Sequence, residues 1–129
     1  MQLDSHKNLR EVLNQISGLE FAVLVGSRAH GTATANSDWD IALQWQKKID
    51  WIEQLGRTET LRQTLSGLLM IPETSIDLID VPRSSLVMRA NIAEDGQVLV
   101  GEDALPWQRF LRRTWRELEE YYWEKIYAA

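Results

Sequence analysis

Gly26-Ser27, ten further residues and then Asp38-Trp39-Asp40 form the stretch of this 129-residue chain whose residue types and spacing could do chemistry. Side chains two apart on a strand share a face, so Asp38 and Asp40 can converge on one cation while Trp39 packs behind them. An apolar run, Phe21 to Val25, leads into Gly26. There a missing side chain lets the backbone approach a phosphate, and Ser27 adds a hydroxyl donor. A phosphate cradle that meets a carboxylate pair is the equipment of nucleotidyl transfer. The loop between them carries Gly31, Thr32, Ala33, Thr34, Asn36 and Ser37, small and mostly polar residues suited to wrapping a triphosphate. Ser37 is therefore a further nucleotide-binding candidate.

A third carboxylate is needed to bridge a second metal or to accept the proton of an attacking hydroxyl, and the segment 75–81 offers Asp77 and Asp80. Their opposite parity allows only one of them onto the catalytic face. Asp80 lies two residues before Pro82, where it could cap the next helix, so Asp77 is chosen. Arg28 has two readings, a cation that neutralises a phosphate or an arginine in solvent. His30 reads as a loop residue rather than a general base.

Val25-Gly26-Ser27-Arg28-Ala29, Ser37-Asp38-Trp39-Asp40-Ile41 and Ile76-Asp77-Leu78 together resemble the DNA polymerase β-like nucleotidyltransferases over about the first hundred residues. Within that superfamily the chain is similar to the minimal nucleotidyltransferases, the MntA-type antitoxins encoded beside a HEPN ribonuclease toxin. The resemblance implies transfer of AMP from ATP to a tyrosine of the toxin, with two magnesium ions. It assigns the triphosphate to Gly26 and Ser27, and the metals to Asp38, Asp40 and Asp77. Two alternatives share the motif: a small-molecule nucleotidyltransferase working with a separate helical subunit, and an antitoxin that acts by contact without turnover.

The elements that must position these groups are legible in part. Asp4 or Ser5 could cap a first helix with Leu9, Val12, Leu13 and Ile16 on one face and Gly18 as its stop. Strands are expected at 21–25, 38–44, 75–81 and 97–100. Ile52, Leu55, Leu61, Leu65, Leu68 and Leu69 recur at helical spacing, although Gly56 weakens that helix. Pro82 is expected to open a short helix carrying Leu86, Val87 and Ala90, closed near Asp95-Gly96. Trp107, Leu111, Trp115, Leu118, Tyr122 and Ile126 then make one helical stripe. Trp107, Leu111 and Trp115 are expected to pack on the sheet, and Trp123 and Tyr127 either to pack or to form a docking surface.

The expected fold is α/β (α+β): a polymerase β-like core of a small mixed sheet flanked by helices, with a long C-terminal amphipathic helix. One domain spans 1–129, with a catalytic core of about 1–101 and the helix at about 103–127. No cysteine is present, and His6 and His30 stand alone, so a thiolate or histidine-rich metal site is unexpected and any metal is held by oxygen. No signal peptide or spanning run is visible, which points to the cytoplasm and away from a membrane. With 14 basic and 19 acidic residues the net charge is -5, the wrong sign for direct nucleic-acid binding yet compatible with one metal-bound nucleotide.

Overall fold

A computed structural model describes residues 5–128. Nine main elements follow in order: α1 (Ser5–Asn14), β1 (Leu19–Val25), α2 (Ser27–His30), β2 (Trp39–Trp45), α3 (Trp51–Leu69), β3 (Ile76–Asp80), α4 (Leu86–Asp95), β4 (Gln97–Val100) and α5 (Leu105–Tyr127). Short 3-10 turns at Glu73–Ser75 and Val81–Arg83 flank β3. The four strands form one sheet in the order β3-β2-β1-β4. The β1 strand pairs antiparallel with β2 and with β4, while β2 and β3 run parallel, so the sheet is mixed.

Alternation along the strands divides the core into two layers. On one face Leu24, Ile41, Leu43 and Ile76 pack with Leu9 and Leu13 of α1 and Leu61 and Leu65 of α3. On the other, Phe21, Val23, Val25 and Ala42 meet Ile92 of α4 and Trp107 and Phe110 of α5. Both faces of β1 and β2 are therefore buried, which explains their nearly continuous apolar runs. Phe21 and Trp107 meet edge to face with centroids 5.1 Å apart, anchoring the start of α5 to the sheet.

Three expectations are corrected by packing. Ser85, not Asp80 or Pro82, begins α4: its side chain accepts from Met88 N at 3.1 Å, while Pro82 falls in the preceding 3-10 turn. This rotates the helix so that Ile92 is buried and Val87 is 80% exposed. The α3 helix starts at Asp50, whose carboxylate accepts from Glu53 N at 2.8 Å, and it runs through Gly56; Ile52 and Leu55 face solvent. In α5 the buried side is Trp107, Phe110 and Thr114, and Trp115 is 40% exposed instead of packed. The reason is length. A helix of 23 residues extends about 34 Å, whereas the seven-residue strands beneath it reach about 23 Å, so its second half outruns the sheet. Trp123 and Tyr127 are exposed there and stack on each other at 4.4 Å. The Asp4 cap lies outside the described residues; Ser5 is the first residue of α1.

Candidate active site

The sheet brings the sequence candidates together at one end. Asp40, in the first turn of the β2 pleat, is the register partner of Asp77 on β3 and of Val25 on β1. Residues paired in register point the same way, and the alternation that sends Ala42 and Ile79 toward α4 and α5 puts Asp40 and Asp77 on that same face. Asp38 stands one residue outside the strand and is exposed. Asp80 falls opposite Leu43, with the alternation of Leu78 on the α1 and α3 face, and its carboxylate pairs with Arg83 at 3.0 Å.

Gly26 follows Val25 directly and touches Asp40. A Cβ at Gly26 would lie 2.5 Å from Asp40 Oδ2, and the backbone there has φ 74° and ψ -158°. Only glycine adopts that conformation readily. Ser27 opens the single turn of α2, whose Ala29 and His30 amides bond back to the Gly26 carbonyl. Gly31, with φ 72°, ends the turn, and the Thr32 amide donates to the Ser27 carbonyl.

Burial raises the pKa of Asp40 above the usual carboxylate range, and the negative charges of Asp77 and then Asp38 push it in the same direction. Among the described residues none of the three is held in an ion pair or hydrogen bond, so their charge is uncompensated. An all-oxygen donor set suits a hard divalent cation. No three such side chains among the described residues form a ready-made metal cage.

Arg28 is half-buried, which removes the solvent alternative. Its Nη2 donates to the Ser37 carbonyl at 2.8 Å and to the Thr34 carbonyl at 3.3 Å, and its guanidinium lies 4.3 Å over the Trp39 ring. It thus ties the loop before Asp38 to the core. Ser37 is engaged in the same loop, its Oγ accepting from Thr34 N at 2.9 Å. His30 is exposed at the end of α2. The Arg28–Trp39 stack has no spacing signature, because it depends on a loop closing over residues 31–38; its one sequence hint is Trp39 alternating with two aspartates.

The pattern of the family described as "Polymerase beta, Nucleotidyltransferase" matches residues 7–105. The chain belongs to that family. Two curated relatives narrow the branch of this nucleotidyltransferase. It is 30% identical over 106 residues to the protein adenylyltransferase MntA of Aphanizomenon flos-aquae, covering 80% of this chain and 71% of that protein. It is 29% identical over 100 residues to the MntA of Shewanella oneidensis, covering 78% and 67%. Among solved structures it resembles a toxin-antitoxin crystallised with AMP-PNP, at a TM-score of 0.69 and 26% identity, covering 96% of this chain and 94% of that one. The nucleotidyltransferase is thus of the MntA type, with the mixed sheet and long C-terminal helix expected. Among the described residues no helix is long and apolar enough to cross a membrane.

Proposed function

We propose that this nucleotidyltransferase is an antitoxin that transfers AMP from ATP to a tyrosine hydroxyl of a cognate HEPN toxin and so silences it. The observation that carries this reading is Asp40 beside Asp77 on one sheet face, with Gly26 packed against Asp40 and Asp38 at the strand entrance. The names of the relatives, protein adenylyltransferase and toxin-antitoxin with AMP-PNP, support the donor and the class of acceptor.

In this reading Asp38, Asp40 and Asp77 would hold two magnesium ions, which when bound would supply charge neutralisation at the phosphates and favour ionisation of the attacking hydroxyl. Gly26 brings the backbone against the triphosphate, Ser27 donates its hydroxyl, and Arg28 and Ser37 hold the loop that closes over it. The tyrosine oxygen forms a bond to the α-phosphorus, the bond from that phosphorus to the bridging oxygen breaks, and pyrophosphate leaves. The hydroxyl proton passes to a carboxylate or to solvent.

The test is intact-protein mass of the adjacently encoded toxin after incubation with this chain, ATP and magnesium, beside an Asp38→Ala, Asp40→Ala control. Gain of whole AMP units with the active chain alone is the expected result. Unchanged mass with the two proteins still co-purifying would sink the transfer to protein and favour contact inhibition or a small-molecule acceptor.

A further inference from the structure

A second concave space lies on the same sheet face, at the other end of β2. It is a cavity of about 700 Å³ between the strand ends and α5. Lys47, Arg83, Arg89, Arg109 and Arg113 line it against only Glu20 and Glu117, in a chain whose net charge is -5. Two of the cations are occupied: Arg89 pairs with Glu117 at 2.6 Å, bridging α4 to α5, and Arg83 pairs with Asp80. Lys47, Arg109 and Arg113 have no partner among the described residues. Arg109 and Arg113 sit one turn apart on α5, a like-charge spacing that disfavours the helix unless an anion bridges it.

A buried amide lies beneath the same wall. Gln44, only 8% exposed, lines the cavity; its Nε2 donates to Glu20 at 3.1 Å, and its Oε1 is buried with no donor. Unmet buried acceptors are uncommon in folded proteins. With that oxygen closed off from solvent, the free cations decide the ligand, which must carry clustered negative charge.

We propose that this cavity is a second binding site, for a small phosphate-bearing ligand, separate from the catalytic carboxylates. Guanidinium forks match phosphate oxygens two at a time, and concave walls concentrate the field of the three free cations. Pro82 and Pro106 provide apolar wall for the remainder, and the volume lies within the usual range for small-molecule sites. An acidic peptide, whose charges are spaced along a chain, fits such a focused cluster less well. Four residues of strand separate Gln44 from Asp40, about 13 Å. The cavity contains none of Asp38, Asp40 or Asp77, so binding there needs no divalent metal.

The test is ADP binding by titration calorimetry in EDTA, which empties the carboxylate site of metal. The proposal expects binding by the wild-type chain and equally by Asp38→Ala, Asp40→Ala. It expects at least tenfold weakening in Arg109→Glu, Arg113→Glu and in Lys47→Glu, and weakening with added salt. These side chains carry no internal bond, and melting curves verify that the variants are folded. Adenosine should bind at least tenfold more weakly than ADP. Absence of metal-independent binding, or binding indifferent to charge reversal, overturns the proposal. So does loss of toxin co-purification in the Arg variants with ADP silent, which would give the cavity to a protein partner.

Discussion

Asp40 and Asp77 are register partners across a parallel strand pair, and among the described residues neither is held in an ion pair. Burial and this opposition make the Asp40 carboxyl hold its proton more tightly in the folded chain than in the unfolded one. Between its ordinary pKa and the raised one the folded state binds more protons, so metal-free stability falls as pH rises through that window and levels off above it. In EDTA, Asp40→Asn should flatten this part of the pH profile and raise the neutral-pH melting temperature while abolishing AMP transfer. Thermal melts from pH 3 to 8 check it. A lower melting temperature at neutral pH would contradict the repulsion.

Gly26→Ala meets two obstacles, the positive φ and the Asp40 carboxylate. It should destabilise the fold by about 1–3 kcal/mol and slow transfer by displacing Asp40. In an Asp40→Ala background the contact vanishes and the backbone strain remains, so part of the loss should be recovered. Denaturant midpoints of the four chains measure that coupling.

Arg28→Lys keeps the charge but loses the planar fork and the stack on Trp39. The expected cost in stability is modest, about 1–2 kcal/mol. Transfer should fall further than stability suggests, because the loop leading to Asp38 is released. Protease cleavage within 31–38 should rise, while a chain cut only elsewhere would argue against the clamp.

The two aspartates of β3 should behave oppositely. Asp77→Ala should lose transfer by at least about a hundredfold. Asp80→Ala removes only a partly exposed ion pair with Arg83, worth less than about 1 kcal/mol, and should retain transfer. Single-turnover rates with ATP separate them.

Truncation after Glu119 removes the last two turns of α5, where nothing is buried beyond Thr114. The shortened chain should fold with a loss below about 1 kcal/mol. Circular dichroism melts report the result directly.

Asp38 falls one residue outside β2, so strand periodicity does not place it beside Asp40; the parity of Asp77 and Asp80 was readable because it depends on periodicity within one element. So were β4 and the burial of Leu9, Leu13, Leu61 and Leu65. Trp115 was misplaced, and Val87 and Ile52 lie in their expected helices but face solvent, for a common reason: apolar residues at helical spacing define a stripe, but caps and the extent of the neighbouring sheet decide which stripe is covered. Ser85 and Asp50 set those rotations through side-chain bonds to Met88 N and Glu53 N. Arg28 was unreadable in kind, since its partners are carbonyls six and nine residues away in an irregular loop.

Because β2 and β3 are parallel, the chain after Asp40 must travel back along the whole sheet before Asp77 can arrive, and α3 is that return path. The β1–β2 pair can close early, while the carboxylate pair waits for a non-local crossover whose loop-closure entropy must first be overcome. During synthesis the turn at Gly26 can therefore form before the Asp40–Asp77 pair exists. The two carboxylates meet only when β3 has been made and docked.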